Sequence, residues 1–312
     1  MRRPAELHGI LVVDKPQGWT SHDVVARVRR IAGQRQVGHG GTLDPLATGV
    51  LPLGLGMATR LLEYLAKGGK TYEATVRLGA ATNTYDAEGE VTVEAPWQHV
   101  GEAALREALL AFTGTIQQRP PAFSAIKRDG RPLYALARRG EAVQAPLRAV
   151  TISAIVLLRF APPEIDLHVT CGSGTYIRSL AHDLGLALGS AAHLTALRRT
   201  SSGGLSLAEA VTLADLERGG RALLEARLLP PDRAAQGLPA VVLDEADVAA
   251  VRHGRDPDGA VLPTSQVSDE ILCRAYDRTG AFTALLRYDA LHGRWRPHKV
   301  FTPAVGGGRA QG

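Results

Sequence analysis

The stretch of residues 38–49 constrains this chain most, because it reads Gly-His-Gly-Gly-Thr-Leu-Asp-Pro-Leu-Ala-Thr-Gly. Glycine at this density lets the backbone turn tightly or approach a ligand closely. Asp44 is the only acid in the stretch and stands between Leu43 and Leu46. A carboxylate among apolar side chains is costly unless a cation or hydrogen-bond donors meet it, and such surroundings set its reactivity. Two readings stay open here, a nucleophile or base and an Asp-Pro turn, and turn statistics alone favour the turn.

Size and charge limit the classes of protein that fit. The 312 residues leave room for two domains, and the net charge of +5 permits a nucleic-acid partner without requiring one. Cys171 and Cys273 lie far apart without ligand spacing, so we interpret them as reduced thiols of a cytoplasmic protein. Since no apolar run is long enough to cross a bilayer, we expect no membrane association.

Helix and strand signals alternate along the chain. Residues 9–14 predict a buried strand, and Thr20 with Asp23 forms a capping-box spacing for a helix that ends at Gly33. Residues 70–78 alternate as a strand whose apolar face includes Tyr72. Further helices are predicted over 58–66, 103–112, 205–217, 222–229 and 244–253, and further strands over 151–160, 164–171, 241–243, 271–276, 282–288 and 293–301.

A basic segment covers residues 119–141, with six cations against two acids. Phe123 and Tyr134 are interleaved with these cations. Cations with aromatic rings suit a nucleic-acid strand, through phosphate contacts and base stacking. A solvated surface loop fits the same pattern equally well.

The turn Gly172-Ser173-Gly174 comes between a predicted strand and a helix, as in dinucleotide-binding folds. The third glycine of that fingerprint would fall at Ile177, so the match fails. Arg178 remains at the start of the helix, where a guanidinium can meet a buried carboxylate with a forked pair of hydrogen bonds.

The composition and the predicted secondary structure change near the end of the chain. The prolines between residues 230 and 239 predict a linker, and short strands follow from residue 240. Residues 240–303 hold eight cations and nine acids. We therefore expect a small β-rich domain that long-range charge does not draw to nucleic acid.

Five ordered segments resemble the TruB family of bacterial tRNA pseudouridine(55) synthases. They are Lys15-Pro16-Gln17-Gly18, the 38–49 stretch, Lys70-Thr71-Tyr72, residues 121–127 and Gly174-Thr175-Tyr176-Ile177-Arg178. Gly40 departs from the family pattern, which has threonine there. The resemblance implies an α+β pseudouridine-synthase fold with a mixed central sheet and an active-site cleft. It also implies a catalytic domain over 1–239 with a basic RNA-gripping insert at 119–139, a PUA-like domain over 240–304 and a disordered tail over 305–312.

The implied reaction isomerises uridine 55 in the T-loop of tRNA to pseudouridine. The base is flipped out, its glycosidic bond is cleaved, and the bond re-forms at C5. Because only a proton at C5 is exchanged, neither a cofactor nor a metal is expected, and no obligatory protein partner is expected either. The resemblance assigns catalysis to Asp44, Tyr72 and Arg178. It assigns substrate binding to His39, Tyr176, Leu197, Lys15, Lys127, Arg128 and Arg131.

Three other functions share part of this sequence pattern. Guide-RNA-dependent synthases share the catalytic motifs but work with partner proteins, whereas the 119–139 insert resembles an element that grips tRNA directly. A non-catalytic RNA-binding module would not explain Asp44 in its glycine-rich setting. A nucleotide-dependent enzyme lacks both the third glycine and a G-K-[ST] loop.

Overall fold

The computed structural model describes residues 5–123, 145–259 and 271–301, with the backbone alone of 127–128 and 131–132. Most of the basic insert predicted at 119–139 therefore lies outside the described residues, as does the predicted tail.

Strands dominate the described chain. They are β1 Gly9–Lys15, β2 Val37–His39, β3 Thr48–Leu55, β4 Lys70–Leu78, β5 Ala80–Thr82, β6 Val91–Glu94, β7 Gly114–Gln118, β8 Lys127–Arg128, β9 Arg131–Pro132, β10 Arg148–Ala161, β11 Glu164–Cys171, β12 Ala192–Ser202, β13 Leu205–Ser206, β14 Val211–Thr212, β15 Ala240–Val242, β16 Leu272–Tyr276, β17 Phe282–Asp289 and β18 Arg294–Val300. The helices are α1 Ser21–Ala32, α2 Leu62–Lys67, α3 Glu102–Ala111, α4 Ile177–Ala187, α5 Leu213–Ala226 and α6 Glu245–Arg252. Short 3₁₀ turns cover Gly56–Leu61, Leu207–Glu209 and Pro231–Ala235.

The main sheet has ten strands and is mixed, as the predicted fold class requires. Its order is β14-β1-β3-β12-β4-β11-β10-β7, with β13 on β12 and β2 on β3. The β1–β14 and β3–β12 pairs are parallel, while the other pairs are antiparallel. Because β12 lies between β3 and β4, it brings the 38–49 stretch beside the strand that carries Tyr72.

The capping box predicted for α1 is confirmed. The Thr20 hydroxyl accepts from the Asp23 backbone N–H, and the Asp23 carboxylate accepts from the Thr20 N–H. The helix ends at Gly33, whose φ of 67° is one that glycine adopts without strain. Val24 and Val28 pack into the core under the sheet, which places α1 directly against the 38–49 stretch.

The helix predicted over 205–217 is wrong in its first half. Leu205–Ser206 and Val211–Thr212 are strands, and helix α5 begins only at Leu213. Val211 pairs in parallel with Val13 of β1, so this segment forms a strand at the edge of the main sheet. Thr212 then caps the helix by accepting from the Asp215 N–H. The helix runs past the predicted break and contains a non-helical residue at Gly220.

The predicted β-rich end of the chain is present. Strands β15 to β18 form a four-stranded sheet with α6 packed on it. This sheet packs against the part of the chain that forms the main sheet, because Leu285 and Phe301 share a core cluster with Leu61 and Leu65. In the described ranges, no helix combines the length and apolar character that crossing a membrane needs.

Candidate active site

The Asp44 loop is held rigidly between β2 and β3. The Ser21 hydroxyl bonds both backbone groups of Leu43, accepting from its N–H at 2.8 Å and donating to its carbonyl at 3.1 Å. The Gly18 N–H donates to the Pro45 carbonyl at 2.8 Å. The Asp44 side chain therefore projects from a fixed backbone between the buried residues Leu43 and Leu46, and 37% of this side chain is exposed. A substrate can reach this carboxylate.

Arg178, from the first turn of α4, is the partner of Asp44. Its side chain is only 6% exposed, and its Nε lies 3.0 Å from Asp44 Oδ2. The contact lacks hydrogen-bond alignment at Nε, so it is an ion pair with the carboxylate set off the N–H axis. The guanidinium also donates to the carbonyls of Thr84 and Phe123 at 3.1 and 3.0 Å. These bonds fix the cation independently of Asp44.

A second carboxylate on Arg178, that of Asp86, was missed by sequence reasoning. Asp86 is 2% exposed, and its Oδ2 lies 3.3 Å from Arg178 Nη1. Its Oδ1 accepts from the Thr84 hydroxyl at 2.6 Å and from the Glu88 N–H at 3.1 Å. Thr84 to Glu88 looks like a polar surface turn in the sequence, so no local signal marks its acid as buried.

Arg199 is the other site residue that sequence reasoning missed. It is fully buried, and its guanidinium donates to three backbone carbonyls, those of Val50, Thr42 and Gly41, at 2.7, 3.3 and 3.1 Å. No acidic partner of Arg199 is found in the described part of the chain. A basic residue in an alternating strand is normally expected on the solvent face, and this expectation hid its role.

Tyr72 lies on β4 directly opposite Arg199 on β12. The side chain is buried, which raises the pKa of its hydroxyl, and the Arg199 cation offsets only part of that rise. The phenol is therefore neutral at physiological pH. Asp44 also contributes to raising this pKa, which places both groups in one electrostatic environment.

Lys15, expected to bind substrate, is fully buried at the end of β1. Its ammonium donates to the carbonyls of Trp19, Pro16 and Pro45 at 2.6, 3.0 and 3.4 Å. Burial lowers the pKa of Lys15 to about 8, against an opposing effect of Asp44. The geometry favours a role in holding the Asp44 loop over direct contact with RNA.

His39 is half-buried at the start of the same loop. Its ring meets that of His22 edge-on, with centroids 5.2 Å apart, and its Nδ1 has no hydrogen-bond partner among the described residues. Burial lowers the pKa of His39, and the neighbouring His22 and Arg199 lower it further. The imidazole is therefore a neutral ring with an unused polar atom beside the catalytic loop.

Two of the expected pocket residues come from different elements. Tyr176 immediately precedes α4 and is half-buried. Leu197 is 9% exposed on β12, opposite Ala74 of β4. The side chains of Lys127, Arg128 and Arg131 lie outside the described residues.

The glycine at position 40 has a local structural reason. A Cβ at Gly40 would lie 2.9 Å from the Cβ of Leu65, which belongs to α2. The packing of α2 against the loop thus excludes the threonine of the family pattern without a shift of the helix.

Together these groups provide an accessible carboxylate, a rigid guanidinium and a neutral phenol. This combination suits a reaction in which a carboxylate acts as nucleophile or base on a neutral substrate. Among the described residues, no three or more His, Cys, Asp or Glu side chains are arranged to hold a metal ion.

The chain is similar to known proteins in both sequence and fold. The profile described as "TruB family pseudouridylate synthase (N terminal domain)" matches residues 29–177, and "tRNA pseudouridylate synthase B C-terminal domain" matches residues 178–236. The chain is 46% identical over 286 residues to tRNA pseudouridine synthase B of Thermobifida fusca, covering 88% of this chain and 96% of the relative. It is 42% identical over 298 residues to the protein of the same name from Dehalococcoides mccartyi, covering 95% and 97%.

Among solved structures, a similar one is the crystal structure of a Cbf5-Nop10-Gar1 complex. The TM-score is 0.75 at 32% identity, over 95% of this chain and 85% of the other. A second is an H/ACA RNP bound to a substrate RNA containing 2'-deoxyuridine, with a TM-score of 0.72 at 29% identity over 95% and 86%.

The mixed sheet and the aspartate–arginine–tyrosine site define a pseudouridine synthase. Within that class, the family profiles and the extent of identity show that the chain belongs to the TruB family.

Proposed function

We propose that this protein converts uridine 55 in the T-loop of tRNA to pseudouridine. The observation that carries the proposal is the Asp44 carboxylate, whose side chain is 37% exposed and lies 3.0 Å from the buried Arg178 guanidinium. Relatives at 42–48% identity are named tRNA pseudouridine synthase B, which supports tRNA as the substrate.

The chemistry breaks the bond from ribose C1′ to uracil N1, turns the base, joins C1′ to C5 and releases the C5 proton, while N1 takes up a proton. Asp44 can serve by attacking C1′, by attacking C6 or by removing a sugar proton. Each route begins from an ionised carboxylate, and the Arg178 guanidinium lies 3.0 Å from Asp44 Oδ2. A neutral Tyr72 phenol beside the base suits stacking, and its raised pKa disfavours a role as base toward the C5 proton.

A uridine inside folded RNA reaches Asp44 only after it leaves the stack. Unstacking costs a few kcal/mol, less in a loop than in a duplex. We propose that stacking on Tyr72 offsets part of this cost, while His39 fills the space left in the loop. Tyr176 and Leu197 then form walls of the base pocket.

We propose that the 119–139 insert grips the tRNA backbone, since residues 119–141 carry a net charge of +4, six cations less two acids. Replacing Lys127, Arg128 and Arg131 together by Gln should weaken tRNA binding and lower the slope of affinity against salt by about 2–3 charges. An unchanged slope would place the RNA elsewhere. We also propose that the catalytic domain ends near residue 239 and that residues 240–304 form a PUA-like domain.

A guide-RNA-dependent role is the second candidate, since the similar solved structures belong to such complexes. Identity to the stand-alone tRNA enzymes is higher, 46% against 32%. We therefore propose a cytoplasmic enzyme that acts on tRNA without a protein partner or a cofactor.

Incubating the purified protein with unmodified tRNA alone, then mapping pseudouridine, tests this function. We expect one modified position, uridine 55, and none in a transcript with cytidine there. No product without added proteins or guide RNA would refute the stand-alone activity, and product at other positions would refute the site assignment.

A further inference from the structure

We infer that Gln118 is a positioning residue for the reaction, an inference that rests on the proposed function. Gln118 is 1% exposed and is the last residue of β7. Its Oε1 accepts from the Tyr176 N–H at 2.8 Å, and its Nε2 donates to the Tyr176 carbonyl at 3.0 Å. One amide therefore holds both backbone groups of a residue 58 positions away.

The helix that carries Arg178 depends on this clamp for its start. Tyr176 is the N-cap of α4 and makes no side-chain cap bond. The first N–H groups of a helix have no partner within the helix, and a Ser, Thr, Asp or Asn cap normally meets them. Here Gln118 meets the N-cap N–H from another strand, as the third helical residue of a capping box would.

A second tie fixes the same turn. The hydroxyl of Ser179, which is fully buried, donates to the carbonyl of Arg119 at 2.7 Å. Residues 118 and 119 thus hold α4 on both sides of Arg178, whose Nε meets Asp44. Gln118 itself is fixed by β7, where it pairs with Arg148 of β10.

The consequence is a path of direct contacts from the main sheet to the ion pair. If the clamp is lost, the first turn of α4 is free to shift, and the Arg178 guanidinium moves relative to Asp44. A displacement of this kind impairs chemistry more than binding, because the proposed contacts of the 119–139 insert with the tRNA backbone lie outside α4.

The chain offers a matched control in Gln34. Its Oε1 accepts from the Leu7 N–H at 2.8 Å, and its Nε2 donates to the Leu7 carbonyl at 3.0 Å. These two bonds match those at Gln118, with a longer third one from Gln34 Nε2 to the Gln36 carbonyl at 3.4 Å. Among the described residues, no hydrogen bond joins Leu7 or Gln34 to a residue of the proposed site. Gln118→Met and Gln34→Met each remove one such clamp while keeping side-chain length.

The test compares both variants with wild type in single-turnover tritium release from C5-labelled tRNA, tRNA binding and thermal unfolding. For Gln118→Met we expect the rate to fall about 10- to 100-fold while the dissociation constant stays within about threefold. Gln34→Met should keep the wild-type rate within about twofold. Equal losses in the two variants, or no loss in either, would overturn the role of Gln118.

Should the methionine variants not fold, Gln118→Glu and Gln34→Glu give the same comparison. Glutamate keeps the acceptor for the N–H and loses the donor to the carbonyl. Failure of the proposed function is separate, because the wild-type protein would then release no tritium. An active wild type with equal behaviour of the paired variants refutes the inference on Gln118 alone.

Discussion

Two buried arginines reach the Asp44 loop in different ways. Arg178 meets charge, with two carboxylates and two carbonyls around its guanidinium. Arg199 donates to three backbone carbonyls of the loop and of β3, and it also hydrogen-bonds the Tyr72 side chain. One cation sets the electrostatics of the reacting group, and the other sets the shape of the loop that presents it.

The proposed catalytic carboxylate of Asp44 therefore has two separate supports. A guanidinium among carboxylates stabilises ionised oxygen and orients it, which acts on the chemical step. A guanidinium among carbonyls satisfies backbone acceptors that would otherwise be buried without partners, which acts on loop geometry. Loss of the first should reduce catalysis most, and loss of the second should affect stability and catalysis together.

Of the substitutions that test this difference between the two arginines, Arg178→Ala should lower turnover and stability the most. Removing the cation leaves Asp86 buried and unpaired, at a cost of about 3–5 kcal/mol in unfolding free energy. Turnover should fall by about 10³ or more while tRNA affinity changes by only a few-fold. Tritium release, tRNA binding and thermal unfolding check these expectations.

Arg159→Ala provides the control for that variant, since Arg159 pairs with Asp166 at the protein surface. It should leave turnover unchanged. If Arg178→Ala folds poorly, Arg178→Lys keeps the charge and should still lose most activity, because a single ammonium cannot reproduce the guanidinium contacts. Near-normal turnover by Arg178→Ala would refute a catalytic role for the ion pair with Asp44, and near-normal turnover by Arg178→Lys would show that the charge alone suffices.

Arg199→Lys should have an intermediate effect. A lysine cannot reach all three carbonyls, so we expect a loss of about 2–3 kcal/mol in stability and a 10- to 100-fold lower rate. Arg198→Lys is the matched control on the same strand, where Arg198 pairs with Asp14 and is part-exposed. If both substitutions have the same effect, the three carbonyl bonds of Arg199 carry no special weight.

Asp183→Asn should have the smallest effect. Asp183 is a partly buried carboxylate that, unlike Asp44, forms no ion pair among the described residues. Burial raises the pKa of Asp183 to about 6, and Arg119 offsets only part of this rise. Because the folded pKa exceeds the unfolded value of 3.8, the native state holds the extra proton between these pH values. Stability from this group is therefore present below pH 4 and is lost as pH rises through 6.

Thermal unfolding from pH 4 to pH 7 measures this effect. Wild type and Asp183→Asn should unfold alike at pH 4, and the variant should be more stable by roughly 2–5 °C at pH 7. A variant that is less stable than wild type at pH 7 would mean that the ionised carboxylate is stabilised in the fold.

Signals from neighbouring residues predicted much of this site. The glycines and leucines around Asp44 pointed to a constrained acid, and the position of Arg178 at a helix start pointed to a partner for it. Periodicity alone predicted β4 over Lys70–Leu78 with Tyr72 on its apolar face, and the structure confirms both. These features depend on residues close together in sequence.

The remaining features depend on contacts between distant residues. The bonds of Arg199 to the loop span about 150 residues, as 149 separate it from Val50, and nothing near Arg199 marks its direction. Asp86 is buried only because α4 places Arg178 over it. The strand over Val211–Thr212 forms only because β1 has a free edge, which local helical periodicity cannot reveal.

The reaction of Asp44 itself is tested most directly by Asp44→Asn in single-turnover tritium release with enzyme in excess over C5-labelled tRNA. Asp166→Asn, at the surface pair with Arg159, serves as the control. We expect no detectable release by Asp44→Asn, tRNA affinity within about threefold of wild type, and normal release by the control. Release by Asp44→Asn at a rate near that of wild type would contradict a catalytic role for this carboxylate.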